Sequence, residues 1–291
     1  MHVLVTGAGG FSGSHLVEGL LAQGHRVTAV VGSRRGRLRE DAQRPGEVKV
    51  LYGDLAGDLA LPDQIDAVIH AAARSPAPGV NAARIVHDNI VATQRLIQES
   101  KRSGARLFVF LSSLSVHGRI ERTVVDENTP IVDPDVYGLT KRVGEELLAA
   151  EADTLRSLSI RLPGVLGRGS VRNWLTGVLA TARLGREIAV YNPDAPFNNA
   201  VHIDDLVAFV LGLLSRKWDG ADAVALAAGG QITVRQAVQS IVNAFGARST
   251  LRVVESGKSS FLVSSARARE RYGYAPMEIG DTVERFAAES R

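Results

Sequence analysis

An apolar run, Val3-Leu4-Val5, passes through Thr6-Gly7-Ala8-Gly9-Gly10-Phe11-Ser12-Gly13 straight into Leu16, Val17, Leu20 and Leu21, which recur at helical spacing. A strand, a glycine turn and a helix in immediate succession narrow the fold more than any other feature. Glycines permit the tight turn and let backbone N–H groups approach a pyrophosphate at the helix N-terminus, where the dipole favours negative charge. The segment does not fit G-x-G-x-x-G, because Ser12 stands where the third glycine would be. Read as Thr-Gly-x-x-Gly-x-x-Gly through Gly7, Gly10 and Gly13, it fits without a gap. The site expected is for a dinucleotide, formed by Gly7, Gly10, Phe11, Ser12 and Gly13.

Strand-like runs at residues 27–31, 48–51, 67–70, 107–111 and 158–162 alternate with helical patterns around residues 16–21, 85–99 and 136–148. This alternation predicts an α/β fold on a Rossmann-like, doubly wound parallel sheet. Right-handed crossovers then set the cofactor at the carboxyl ends of the strands. Pro163-Gly164 and Tyr191-Asn192-Pro193-Asp194-Ala195-Pro196 mark a change to shorter elements. Residues 1–165, with residues 200–220 packing back, are expected to form an NAD(P)-binding domain. Residues 166–199 and 221–291 are expected to form a smaller α/β substrate-binding lobe.

Tyr137-Gly138-Leu139-Thr140-Lys141 opens the third helical pattern and projects a phenol and an ammonium from one face. A phenol of ordinary pKa, about 10, is a poor base at neutral pH, and an adjacent ammonium lowers that pKa by stabilising the phenolate. Lys141 is therefore expected to tune Tyr137, making it an acid or base toward a carbonyl or hydroxyl oxygen. Taken alone, the pair also reads as a surface pair on a helix.

Zero cysteines exclude disulfides, thiolate catalysis and cysteine-ligated metal, and no metal site is expected. No apolar stretch reaches the roughly 18 residues of a membrane span, and the chain enters its glycine turn without a signal-peptide layout. A cytoplasmic protein with no membrane partner is expected. The net charge of +3 is dispersed arginine set against 31 acidic residues, and aromatics make up 5% of the chain. A basic stripe interleaved with aromatics is absent, which argues against nucleic acid and for a phosphorylated small molecule as the anionic partner.

With Ser112-Ser113 standing between the glycine turn and Tyr137/Lys141, the chain resembles the extended short-chain dehydrogenase/reductase family. Its members include nucleotide-sugar epimerases, dehydratases and ketoreductases. Gly53-Asp54-Leu55 looks like the family's adenine-contacting segment, and His70-Ala71-Ala72-Ala73 is similar to its His/Asn-x-Ala-Gly/Ala stretch beneath the cofactor. Asn89-Ile90-Val91-Ala92-Thr93 resembles Asn-Val-x-Gly-Thr, which adds Asn89 to the cofactor residues. Leu111-Ser112-Ser113-Leu114-Ser115-Val116-His117-Gly118 matches Ser-Ser-x-x-Val-Tyr-Gly, making Ser113 the catalytic hydroxyl by position. The run from Arg161 to Gly167 resembles Arg-x-x-x-Val-x-Gly, which sets Pro163 and Val165 beside the cofactor. Val201-His202-Ile203-Asp204-Asp205-Leu206 resembles Val-His-Val-x-Asp-Leu.

By this resemblance Ser113 holds a substrate oxygen, Tyr137 exchanges its proton, Lys141 binds the nicotinamide ribose, and the nicotinamide supplies the hydride. A homodimer formed through the helices of residues 85–99 and 137–148 is also implied. Other polar residues read as structural. Ser112 and Ser115 satisfy backbone groups at a strand end, His70 is a hydrogen-bonded core histidine, and His202 and Asp204 cap the helix of Leu206. His117 stands where the family has tyrosine and reads as a loop residue lining the pocket.

Cofactor choice is read after the second strand, at Val30-Val31-Gly32-Ser33-Arg34-Arg35. An NAD enzyme places an acid there, yet no carboxylate occurs before Glu40. Ser33, Arg34 and Arg35 can instead hold a 2′-phosphate, so NADP(H) is expected, with NAD(H) as the alternative. The same arginines also read as a solvated turn. Leu114-Ser115 stand where family dehydratases carry an Asp-Glu pair, which disfavours dehydration. What is left is reduction or epimerisation at a keto/hydroxyl carbon, of the C4 type, in a nucleoside-diphosphate sugar. The alternatives are a reductase of a small non-nucleotide carbonyl compound and a non-catalytic NADP-binding sensor. Intact Ser113, Tyr137 and Lys141 argue against the sensor.

Overall fold

Val3, Leu4, Val5, Val68, Ile69, Phe108 and Val109 are wholly buried. Apolar runs with no polar face belong in a parallel sheet covered on both sides. In the computed structural model, which describes residues 1–32, 36–38, 45–57, 59–246, 248–255, 257 and 259–291, they form one. Strands β1 (His2–Thr6), β2 (Arg26–Val31), β3 (Glu47–Tyr52), β4 (Ala67–His70) and β5 (Leu107–Ser113) pair in parallel in the order β3-β2-β1-β4-β5. The short β6 (Val124–Val125) stands apart, and β7 (Arg156–Leu162) continues the sheet beyond β5. Then come β8 (Gly164–Leu166), β9 (Ile188–Tyr191), β10 (Pro196–Phe197) and β11 (Ala200–His202), all outside the main sheet. With β12 (Ala221–Ala225) at its edge the sheet has seven strands in the order β12-β7-β5-β4-β1-β2-β3. The strand order reverses between β1 and β4, the switch point where doubly wound sheets bind ligands. The α/β, Rossmann-like expectation is met.

Helix α1 (Phe11–Ala22) buries Leu16, Val17, Leu20 and Leu21, the residues whose spacing announced it. The second helical pattern becomes α2 (Ala82–Val86), a π turn (His87–Val91) and α3 (Ala92–Arg102) in unbroken succession. Asp135 caps α4 (Val136–Ala149) by accepting from the Gly138 N–H at 2.7 Å. Helices α5 (Trp174–Arg183), α6 (Ile203–Ser215), α7 (Val234–Ala244), α8 (Ala266–Tyr272) and α9 (Ile279–Glu289) follow. Gly19 lets α1 lie against α6, since a Cβ there would stand 2.5 Å from Val207 Cγ1.

The chain divides into two compact units, residues 1–119, 131–161 and 207–224 in the first and residues 120–130, 162–206 and 225–291 in the second. The first packs Leu4, Val68, Leu96, Phe108, Phe110 and Leu148 around its sheet. A separate core in the second gathers Leu175, Val190, Phe197, Ile241, Val283 and Phe286. There β14 (Leu251–Val254) pairs with β9, β13 (Ile232–Thr233) with β10, β11 with β8 and β15 (Leu262–Val263) with β6. No helix among the described residues is long and apolar enough to cross a membrane.

Candidate active site

The glycine turn is shaped by approach distances. Gly7 adopts φ +66°, and a Cβ there would stand 2.6 Å from Ala72 N and 2.7 Å from Ala71 C. A Cβ on Gly13 would run into the Gly7 carbonyl oxygen, so α1 can start this close to the turn only without a side chain at that point. Gly10 N–H donates to Gly7 O at 2.8 Å. As N-cap of α1, Gly10 offers no side-chain acceptor to the helix's first amides, which leaves them for an anion. Beyond the strand ends lies a cavity of about 520 Å³, bordered by Gly7 and Gly10 on one side and by Gly53, Asp54 and Leu55 on another. Ala71, Ala72 and Ala73 close it from beneath. The open amides, the bare glycines and the alanine floor fit a dinucleotide.

Not every expected cofactor residue lines this cavity. Phe11, Ser12 and Gly13 form the first turn of α1, with the Arg37 guanidinium 5.5 Å from the Phe11 ring centre. Asn89 is buried in the π turn and acts as a clamp. Its Oδ1 accepts from Arg74 N at 2.6 Å, while its Nδ2 donates to Arg74 O at 3.1 Å and to Thr140 Oγ1 at 2.9 Å. Asn89 thus fixes the loop that carries the alanines. Pro163 and Val165 belong to the second unit. Ser33, Arg34 and Arg35 lie outside the described residues.

The residues expected to handle the proton, Ser113 and the Tyr137/Lys141 pair, stand on β5 and α4. Gly138 lets the first turn of α4 settle on the loop after β5, where a Cβ would meet the Ser115 carbonyl oxygen. Ser113 ends β5, and its Oγ accepts from Ser115 N–H at 3.1 Å. Lys141, 3% exposed, donates from Nζ to the Leu111 carbonyl oxygen at 2.7 Å and lies 4.5 Å from the Phe110 ring centre. Burial pulls its pKa down to about 7 against the opposing attraction of Glu145. Tyr137 moves opposite to the expected direction. Burial of the phenol and the nearby Asp135 carboxylate raise its pKa, countered only in part by a hydrogen bond with Ser75. Burial decides the direction, while the Lys141 ammonium, 5.9 Å from the Tyr137 ring centre, donates to a backbone carbonyl and not to the phenol.

A buried ion pair, Glu145 with Arg161, lies behind these groups and is absent from the sequence reading. Arg161 Nε donates to Glu145 Oε1 at 3.0 Å and Nη2 to Oε2 at 2.7 Å. Ser112 Oγ donates to Glu145 Oε1 at 2.6 Å, so this serine serves a carboxylate and not the backbone group expected of it. The one sequence signal was position, since Glu145 lies one helical turn beyond Lys141. His117 does not line a pocket; it is wholly buried, with Nε2 3.3 Å from Arg161 Nη1. His70 is the core histidine expected, held between Thr6 Oγ1 at 2.6 Å and Thr93 Oγ1 at 2.9 Å. Burial first, and then the Lys141 charge, bring its pKa down to about 3. His202 Nδ1 accepts from Asp204 N–H at 3.2 Å at the start of α6, the capping role expected.

In the second unit a cavity of about 560 Å³ is lined by Trp174, Tyr191, Phe197 and Phe261 together with Asn192 and Asn199. Trp174 and Phe197 meet edge to face, 5.3 Å between ring centres. No cluster of metal-ligating side chains occurs among the described residues.

Comparison with known proteins finds relatives over most of the chain. The chain is 29% identical to a UDP-glucose 4-epimerase of Azospirillum brasilense across 94% of its own length and 87% of that protein. It is 26% identical to a dTDP-glucose 4,6-dehydratase of Streptomyces griseus, covering 94% and 89% of the two chains. The crystal structure of a UDP-galactose 4-epimerase superimposes with a TM-score of 0.77 at 25% identity, covering 99% of this chain and 98% of that one. The family model described as the NAD dependent epimerase/dehydratase family matches residues 3–229, most of the chain, and the protein belongs to that family.

Proposed function

We propose that the protein oxidises and reduces a secondary carbinol carbon, of the C4 type, in a nucleoside-diphosphate sugar, by epimerisation or ketone reduction. The observation that supports this reading is the meeting of α4 and β5, where Lys141 donates to the Leu111 carbonyl and the first turn of α4, which carries Tyr137, lies on Ser115, two residues past Ser113. Gly7, Gly10, Asp54 and the alanine floor would hold a dinucleotide, which when bound supplies reversible hydride exchange with carbon. Ser113 donates a hydrogen bond to the substrate oxygen. Tyr137, kept protonated by burial, gives that oxygen a proton in the reducing direction and recovers it in the oxidising one. Lys141 holds positive charge beside the dinucleotide ribose. The first unit is the dinucleotide-binding domain, and the second is the substrate lobe. Aromatic rings around the second cavity suit stacking on the nucleoside base.

Leu114-Ser115, in place of an Asp-Glu pair, support redox or epimerisation over dehydration. The dinucleotide is NADP(H) if Arg34 and Arg35 reach a 2′-phosphate and NAD(H) if they do not. The active form is a homodimer through α4 and the α2–α3 helix, supported by Leu139, 48% exposed on α4, and Val86, 42% exposed at the end of α2. Sedimentation at micromolar concentration showing only monomer would remove the dimer. The decisive functional experiment incubates the purified protein with UDP-glucose and UDP-galactose in separate reactions. Proton NMR then reads the C4 epimer, or, after NADPH is added to a 4-keto sugar nucleotide, the alcohol. Inertness toward all three, alongside turnover of an unlinked ketone, would overturn the sugar-nucleotide reading.

A further inference from the structure

Tyr137, Lys141 and Glu145 succeed one another at four-residue intervals along α4, so their side chains leave one face of the helix. Glu145, 5% exposed, receives four donors from three elements. Two come from Arg161 on β7, one from Ser112 on β5, and one from Arg142 Nη1 on α4 itself at 3.1 Å. Ser112 is the residue immediately before Ser113, and β7 is the sheet neighbour of β5. One carboxylate therefore bolts the helix that carries the phenol and the ammonium to the strand end that carries the serine.

Stability alone does not call for this arrangement. A buried ion pair costs about as much in desolvation as it returns, and a well-packed apolar pair of similar volume commonly does as well or better. The charge is spent where a second charge needs it. Lys141 is buried over an aromatic ring with a carbonyl as its hydrogen-bond acceptor. Among the described residues the charged and titratable groups around it are few. Glu145 and Tyr137 share its helix, and His70 stands on β4. Arg161 on β7 is committed to Glu145, and Asp88 in the π turn is committed to Arg74 and Arg84. Glu145 is the anion whose attraction favours the charged form of Lys141.

Resting on the catalytic reading of Ser113, Tyr137 and Lys141, we infer that Glu145 is the positioning residue of this site, locking α4 to β5 through Ser112 and Arg161 and supplying the counter-charge of Lys141. Glu145→Asp, which keeps the charge, should restore part of the loss that Glu145→Gln produces.

The test uses two probes, one of them independent of substrate. Glu145→Gln removes the anion and keeps the Arg161 cation, so it carries the Lys141 readout, and the double variant Glu145→Gln/Arg161→Gln, which removes both charges at once, carries the turnover readout should the single variant fail to fold. Heteronuclear NMR of ε-labelled lysine reads the titration of Lys141, and UDP-glucose turnover is followed across pH 6–9. The expected result is a Lys141 midpoint displaced downward by about one pH unit, a kcat at least tenfold lower at pH 8, and an alkaline limb moved the same way. An unmoved Lys141 midpoint, or a kcat within threefold of wild type, overturns the inference. Tyr137→Phe assayed beside it separates the two failures. If that variant keeps more than a tenth of kcat, the catalytic reading itself is at fault, whatever Lys141 does.

Discussion

Lys141 gives its ammonium to the carbonyl oxygen of Leu111, 2.7 Å away, and not to the phenol of Tyr137 one turn earlier on the same helix. The cation is thereby held against the last residues of β5, one position before the Ser112–Ser113 pair. Its neighbour Tyr137, whose ring centre lies 5.9 Å from that ammonium, has its pKa raised chiefly by burial and stays a protonated phenol. The site is set as a proton donor, and oxidation of an alcohol needs added positive charge near the phenol before the proton can return.

Tyr137→Phe should abolish turnover, by roughly 10²–10⁴-fold, while leaving dinucleotide affinity nearly unchanged. In the proposed mechanism the phenol acts on the substrate oxygen alone. Lys141→Met should reduce both, because it removes the charge proposed to stand beside the ribose together with a buried hydrogen bond. Steady-state kinetics and dinucleotide fluorescence titration of the two variants separate these outcomes. A Tyr137→Phe enzyme with more than a tenth of wild-type kcat contradicts the assignment.

The glycine turn makes a sharper structural prediction. Gly7→Ala must hold φ +66° with its Cβ against the Ala71–Ala72 backbone, and Gly13→Ala must push α1 off the Gly7 carbonyl. Each should destabilise the fold by about 1–3 kcal/mol and weaken dinucleotide binding at least tenfold. Gly177 on α5 is the control, since nothing lies within 4 Å of its added Cβ. Gly177→Ala should raise stability by about 0.5–1 kcal/mol. Thermal melts of the three variants that rank otherwise would show that close approach does not decide these positions.

What the sequence disclosed and what it withheld divide along physical lines. Residues 1–31 were legible because period, apolarity and glycine placement all agree locally. The shared helix face of Lys141 and Tyr137 was legible for the same reason, through their spacing. The hydrogen-bond acceptor of Lys141 was not, because the acceptor is a backbone carbonyl on β5 and no residue type signals one. The Glu145–Arg161 pair lies sixteen residues apart in the chain and meets only because β7 pairs beside β5. The hold of Asn89 on the Arg74 loop was not legible either, since only the π turn sets its amide against Arg74 and Thr140. The second unit's two- to four-residue strands carry too little period to read.

His70 gives the fold an acid-sensitive core. Its pKa falls from 6.5 to about 3 on folding, so between those values the unfolded chain binds a proton that the folded chain refuses. Stability from this residue is present above pH 6.5 and is lost as the pH drops, by about 1.4 kcal/mol per unit. Urea unfolding midpoints at pH 7, 6 and 5 should decline more steeply for wild type than for His70→Gln. Parallel slopes would place the acid sensitivity elsewhere.

Cofactor choice is the prediction that most divides the two readings of the chemistry. No carboxylate stands between Val31 and Glu40 to accept from a ribose 2′-OH, whereas Arg34 and Arg35 can pair with a 2′-phosphate. NADPH should then bind more tightly than NADH, and the difference should shrink as added salt screens the ion pairs. A charge-assisted hydrogen bond is worth about 1.5–3 kcal/mol, so Arg34→Ala or Arg35→Ala should cost roughly 10–100-fold in NADPH affinity and leave NADH affinity almost unmoved. Fluorescence titration of both cofactors against wild type and the two variants checks each step. Equal affinities, or tighter NADH, would assign the arginines to a solvated turn. The enzyme would then be one that keeps NAD bound through the cycle, which favours epimerisation over net reduction.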